Sequence, residues 1–251
     1  MSARRLSRPR ADPVTRLVAA FLCIVWLSGC AGPARPPAED DAEAPVYDPL
    51  ESVNRHTQTG FLFADDHVLH PVADAYAEVV PDRLRASIRN LLETLGQPAV
   101  ALNHLLQGNP RYSWNAFQRL VVNAVVGVGG LFDVATDWGL PYRPADFGQT
   151  FGVWGIGDGP YLFLPFFGPS NPRDAVGLAL GFATNPAVLL DGWEAAGALG
   201  GELAVGAVDG RSRRAEVLDR LRHESLDFYI SLRAVYYQNR RFRVEQGLNG
   251  E

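Results

Sequence analysis
The chain has 251 residues with 23 basic and 28 acidic side chains, a formal net charge of −5 at pH 7, no lysine and two cysteines. So acidic a chain lacks the basic surface that phosphate polymers require, which excludes nucleic-acid binding as a function class.

The N-terminus carries Arg4, Arg5, Arg8, Arg10 and Arg16, then an uncharged apolar stretch over 17–29 that closes on Leu27-Ser28-Gly29-Cys30. A basic start followed by a short apolar run is the layout of a secretory signal. The Leu-x-Gly-Cys ending is the pattern after which bacterial lipoproteins are cleaved, leaving Cys30 as an acylated first residue. An ordinary signal peptide with a chance cysteine, or a short anchor, are the alternatives; the run is about 13 residues, against roughly 20 for a spanning helix. Ala31 follows the cysteine, without the aspartate that would suggest retention at the inner membrane, so the outer membrane is expected. Cleavage removes Cys23, five arginines and Asp12, leaving 18 basic and 27 acidic residues, a net of −9, and no disulfide to form.

Residues 31–45, rich in Pro, Ala and acid, cannot bury a core and are expected to be a flexible tether. The folded part is expected to open at Asp48-Pro49-Leu50-Glu51, which reads as a capping box with Pro in the first turn. Leu50, Val53, Thr57, Phe61, Ala64, Val68 and Val72 follow at helical spacing. A second helix is expected over 82–95, ended by Gly96 and Pro98, and a third over 99–107, closed by Gly108. Asn109-Pro110 starts a fourth, with Trp114, Phe117, Leu120, Val121 and Val125. Val217, Leu218, Leu221, Phe228, Leu232, Val235 and Tyr236 predict one long amphipathic helix near the end. Alternating strand-like runs are scarce, so the fold class is all-α.

Between 147 and 190 the only charges are Asp158, Arg173 and Asp174, and glycines, prolines and aromatics crowd the stretch. It is too broken for a spanning helix and too apolar for a water-facing loop. A loop buried in a soluble core is one explanation. With a lipid anchor upstream, a belt that half-sinks into one leaflet is the better one.

Chemical motifs are weak. Gly155-Ile156-Gly157-Asp158-Gly159-Pro160 has Pro where a dinucleotide fingerprint needs glycine. Ser170 lacks the Gly-x-Ser-x-Gly setting of a hydrolase and is expected to cap the helix after Pro172. His67 and His70, with Asp65 or Asp66, could offer metal ligands, but the spacing does not specify a site and no metal is expected. Asp133, Asp137 and Asp146 could supply an acid/base pair, although capping and turn roles suit them better, and no catalytic residue is assigned. Arg233, Arg240, Arg241 and Arg243 could meet lipid phosphates or an acidic partner, or form a solvated face.

Taken in order, the motifs are more specific than any one of them. Asp48-Pro49-Leu50-Glu51 with Asn54-Arg55, Val68-Leu69-His70-Pro71-Val72, Gln107-Gly108-Asn109-Pro110 and Gly127-Val128-Gly129-Gly130-Leu131-Phe132-Asp133 are followed by Asp146-Phe147-Gly148-Gln149-Thr150. Gly152-Val153-Trp154-Gly155, Gly159-Pro160-Tyr161, Leu164-Pro165-Phe166-Phe167-Gly168-Pro169-Ser170 with Arg173-Asp174, and Leu232-Arg233-Ala234-Val235-Tyr236-Tyr237-Gln238 complete the series. In these the chain resembles the MlaA/VacJ family of outer-membrane lipoproteins. It departs at Gln58-Thr59-Gly60-Phe61, where the family usually carries Phe-x-Phe-Asn.

The resemblance implies a helical ring lying in the periplasmic leaflet of the outer membrane, with a central channel through which misplaced phospholipids leave the outer leaflet. It implies a trimeric porin and a soluble periplasmic lipid carrier as partners, and neither enzymatic activity nor a cofactor. Residues 1–29 would be the lipoprotein signal, 30–46 the acylated cysteine and linker, 47–243 the helical domain and 244–251 a C-terminal tail. Phe147, Gly152, Trp154, Gly155, Tyr161, Phe166 and Phe167 are the candidates for lining the channel or touching lipid. Gly139, Pro141 and Pro144, within 135–146, are candidates for a flexible gating hairpin. The competing reading is a scaffolding lipoprotein that docks a porin or cell-wall partner without moving lipid; an envelope hydrolase is a third.

Overall fold
A computed structural model describes residues 47–250; Cys30, the signal and most of the tether lie outside the described residues. The fold is all-α, with a single two-stranded hairpin among the described residues.

Helix α1 (Glu51–Ala64) runs through one π-helical turn (Asp65–Leu69) into α2 (His70–Val79), with Pro71 at the start of α2, where a missing N–H is harmless. Asp48 does not cap α1 as the sequence suggests. Its carboxylate instead accepts from Asn54, Tyr229 and Arg233, which ties the start of the domain to its last helix.

The apolar stripe of this segment faces outward. Val53, Val68 and Val72 are exposed, while Asn54, Gln58 and Asp65 are buried. Two of these buried side chains have distant polar partners: Asn54 donates to the Tyr161 carbonyl and accepts from the Phe163 amide, and Asp65 accepts from Arg211. A polar interior and an apolar exterior reverse the pattern of a water-soluble domain.

Helix α3 (Asp82–Leu106) is continuous through Gly96 and Pro98, so the expected second and third helices are one. An interior proline costs about 3 kcal/mol in an isolated helix. Here α3 packs antiparallel against α4 (Pro110–Val125), which offsets that cost. Gly108, at φ +79°, supplies the left-handed residue of the connection.

Short helices α5 (Val134–Asp137) and α6 (Phe147–Val153) follow, each capped by the aspartate before it: Asp133 accepts from the Thr136 amide and Asp146 from the Gln149 amide. Strands β1 (Leu162–Leu164) and β2 (Gly168–Ser170) pair antiparallel, with Leu162 opposite Ser170. Helix α7 (Pro172–Ala183) is capped by Asn171, not by Ser170, whose hydroxyl donates to the Asn171 carbonyl.

After a 3-10 turn (Pro186–Leu189) comes α8 (Gly192–Glu224), then α9 (Phe228–Asn249). The expected single C-terminal helix is thus broken. Asp227 breaks it by turning its carboxylate onto the Tyr229 and Ile230 amides while also pairing with Arg55 of α1. Helix α9 continues through 244–249, and Asn109 donates to the Gly247 carbonyl there.

The packing partners close into a circuit. Helix α2 lies on α8, α8 on α3, α3 on α6 and α6 on α9; α9 meets the hairpin, and the hairpin meets α1. Tyr161, Phe163, Tyr229 and Tyr237 form the aromatic core at the last junction. Elsewhere polar and charged side chains outnumber apolar ones among the buried residues, Arg119, Arg173, Arg211 and Arg240 included.

Candidate functional site
A cavity of about 460 Å³ lies within this circuit, bounded by α3, α6, the hairpin, α7, α8 and α9. Its walls are of two kinds. Phe147, Leu164, Phe167, Leu178 and Phe182 give an apolar side; Asn103, Asp146, Asp174, Glu202, Tyr236 and Arg240 give a polar one.

An ionic chain fixes the polar wall. Arg240 of α9 donates to Asp146 at 2.7 and 3.0 Å and to Asp174 at 2.8 Å. Asp174 also pairs with Arg173, whose other partner is Asp158. Burial alone would raise the Asp146 carboxyl, but the charged hydrogen bonds from Arg240 outweigh it and hold the group below its ordinary range. Burial, then the neighbouring Asp174 charge, pushes the Tyr236 phenol far up, so it stays protonated and donates to that carboxylate.

Close backbone contacts set the geometry. A Cβ on Gly177 of α7 would stand 2.3 Å from the Gly148 nitrogen of α6, and one on Gly152 of α6 would stand 2.6 Å from Val244 of α9. Helix α6 is therefore wedged between two others, with Asp146 and Phe147 presented at its first turn.

Tyr142 keeps 36% of its surface, the Asp146 side chain 41%, and Arg214 is exposed, yet desolvation is the largest influence on each of their ionisations. Tyr142 and Asp146 belong to the segment 138–146, which joins α5 to α6.

That segment is held at two points. Arg119, buried in α4, donates to the Leu140 carbonyl and pairs with Asp133, and His104 contacts the Arg143 carbonyl at 3.1 Å. Burial lowers the His104 ring's affinity for a proton, so it is neutral near pH 7. Pro141 and Pro144 border a smaller cavity of about 190 Å³ beside His104, and Gly139 holds a left-handed turn at φ +81°.

Of the candidates for channel or lipid contact, Phe147 and Phe167 line the larger cavity. Gly152 is a packing contact, Gly155 a left-handed turn at φ +84°, and Tyr161 sits in the aromatic core. Phe166 is 85% exposed at the hairpin tip, and Trp154 is exposed while its ring N–H donates to the Leu106 carbonyl at 2.9 Å. Glu202 and Asn185 are cavity residues that the sequence does not single out, since they reach it from the N-terminal third of α8 and from the cap of the 3-10 turn before it.

The acid/base and metal candidates have structural partners. Asp133 caps α5 and holds Arg119, and Asp146 caps α6 and holds Arg240. Ligand atoms of Asp65, Asp66 and His70 lie within 4.8 Å of one another, but Arg211 already engages Asp65, and Arg222 engages Asp66. His67 faces elsewhere, onto the Phe63 carbonyl and ring.

The outer surface complements the interior. On α4, Trp114, Phe117, Val121 and Val125 are exposed at helical spacing, while Arg119 and Asn123 on the opposite face are buried. Phe166, Leu189 and Trp193 add exposed apolar side chains elsewhere. No helix among the described residues is long and apolar enough to cross a membrane.

Comparison with known proteins gives a consistent result. The family model described as MlaA lipoprotein matches residues 46–243. The intermembrane phospholipid transport system lipoprotein MlaA of Escherichia coli (strain K12) is 34% identical over 242 residues, which cover 92% of this chain and 90% of that protein. The protein of the same name from Haemophilus influenzae is 28% identical, covering 92% and 91%. A solved structure described as "Structural basis for maintenance of bacterial outer membrane lipid asymmetry" superposes with a TM-score of 0.69 at 33% identity, covering 78% of this chain and 98% of that one.

Proposed function
The chain belongs to the MlaA lipoprotein family, and from that premise we propose that it serves intermembrane phospholipid transport as an outer-membrane lipoprotein. Acyl chains on Cys30 hold it in the periplasmic leaflet. It takes misplaced phospholipid from the outer leaflet through the central cavity and passes it to a soluble periplasmic carrier, with a trimeric porin as its neighbour in the membrane.

The inverted burial carries this reading: apolar side chains such as Trp114, Phe117 and Val125 face out, while Asn103, Asp146, Asp174 and Arg240 face a cavity inside. Burying an uncompensated charged head group costs several kcal/mol or more. A polar-walled recess within an apolar belt removes that barrier, while Phe147, Leu164, Phe167 and Phe182 offer acyl chains a surface like lipid. Transport through such a recess is passive. The segment 138–146, with Gly139, Pro141 and Pro144, borders the smaller cavity and gates the passage.

A strain lacking the protein is expected to accumulate outer-leaflet phospholipid and to become sensitive to detergent with EDTA. A wild-type copy should restore it, and Leu178→Trp, which fills the cavity, should not. Normal asymmetry in the deleted strain, with no redundant system present, would overturn the proposal. Rescue by Leu178→Trp would favour a scaffold that docks a porin without moving lipid.

The apolar belt has its own test. Phe117→Asp places a charge on the outer face, where the ring stacks on Trp114 at a 5.3 Å separation. Thermal stability in detergent is expected to change by only about 0.5 kcal/mol. Vesicle binding by a domain without its acyl anchor should fall roughly tenfold, as expected for a charge placed against hydrocarbon. Unchanged vesicle binding would remove this face of α4 from the membrane.

A further inference from the structure
The larger cavity has an unequal supply of hydrogen-bonding groups. Its side-chain donors are all engaged within the protein: Asn103 on the Ala99 carbonyl, Ser170 on the Asn171 carbonyl, Tyr236 on Asp174, and Arg240 on Asp146 and Asp174. Asn185 donates to Glu202 at 2.8 Å. That amide is the side-chain partner of Glu202, and no cation is ion-paired with it among the described residues.

The formal charges on the wall are Asp146, Asp174 and Glu202 against Arg240 alone. With its one guanidinium held between two carboxylates, the wall offers a phosphate more acceptors and negative charge than free donors. Ionised carboxylates only accept, and an ammonium is the group with three donors and no acceptor.

Resting on the transport reading above, we infer that this cavity selects phospholipids whose head group ends in a primary ammonium, with Glu202 of α8 as the specificity-determining contact. The ethanolamine nitrogen reaches the Glu202 carboxylate beside Asn185. The phosphodiester stays towards the mouth of the cavity, and the acyl chains lie on Phe147, Leu164 and Phe182. A quaternary choline carries the same charge without N–H donors, and a glycerol head group leaves the lipid anionic, so both fit this wall less well.

The test uses the full acylated protein, incubated in detergent with an equimolar mixture of phosphatidylethanolamine, phosphatidylcholine and phosphatidylglycerol. Retained lipid is then quantified by mass spectrometry after re-isolation. Phosphatidylethanolamine is expected to be enriched about fivefold over each of the others, the scale of a single partly screened ion pair. Glu202→Gln should bring the ratio to within about twofold of the supplied mixture, and Glu202→Arg should shift it towards phosphatidylglycerol. The readout is the ratio and not the amount, and a circular dichroism spectrum for each variant confirms that it is folded. A wild-type ratio equal to that supplied, or an enrichment that survives both substitutions, would overturn the inference and leave transport standing. Retention of no phospholipid at all would overturn the transport reading and the inference with it.

Discussion

Replacing Gly177 by alanine is expected to destabilise the domain by about 2–4 kcal/mol, the range for overpacking against atoms that cannot move aside. The added Cβ would stand 2.3 Å from the Gly148 nitrogen, 2.8 Å from its Cα and 3.1 Å from the Phe147 carbonyl carbon. All three are backbone atoms, so relief requires α6 and α7 to move apart rather than a rotamer to change. The thermal midpoint in detergent should fall by about 5–15 °C for a domain of this size. Gly181, one turn further along α7, is the internal control. Nothing lies within 4 Å of a Cβ there, so Gly181→Ala gains helix propensity of about 1 kcal/mol and should raise the midpoint. The pair therefore separates packing from propensity by the sign of the effect. If Gly177→Ala melts with the wild type, the close approach of α6 to α7 does not set the geometry of the site.

Sequence periodicity located most of the helices, because i, i+3, i+4 spacing records a two-sided environment whichever side is wet. It could not say which side faces inward. Val53, Val68 and Val72 keep helical spacing although they are exposed, with Asn54, Gln58 and Asp65 buried instead. Boundaries failed where a local signal is overruled from a distance. Pro98 does not end α3, because α4 packs against that part of it, where Val100 and Ala116 share a buried cluster, and the break at Asp227 depends on Arg55, 172 residues earlier.

The same limit applies to the site. Asp146 and Arg240 are each conspicuous in the sequence, one before a glycine-rich turn and one in an arginine-rich helix. Their pairing spans 94 residues and has no local signature. Phe147 and Phe167 were legible as cavity residues from the uncharged aromatic stretch that holds them. Glu202 was not, since a single glutamate on a helix of low amphipathic contrast resembles any solvated one.

Arg240→Met should have the largest effect of all, about 3–5 kcal/mol, because it leaves Asp146 and Asp174 facing each other without the cation between them. The Arg240 and Asp174 side chains are only 11% and 10% exposed, so water does little to compensate. Arg240→Lys keeps the charge but cannot donate to both carboxylates in the planar fork, and should fall between the two. The pH dependence gives this account a second, independent reading. In the wild type the Asp146 carboxyl is held below its ordinary range, so the stability it lends is fully present above about pH 4 and is lost as pH falls through the lowered native value. Without Arg240 the main lowering influences disappear, and burial, the largest influence on this group, is opposed only by the Gln149 amide and the Arg243 charge. The variant then carries its penalty at neutral pH and sheds it on protonation. The gap between wild type and Arg240→Met in thermal midpoint should therefore be widest near pH 7 and narrow steadily below about pH 5. A gap that stays constant across that range would mean that Arg240 acts through packing of its stem and not through the two carboxylates it bridges.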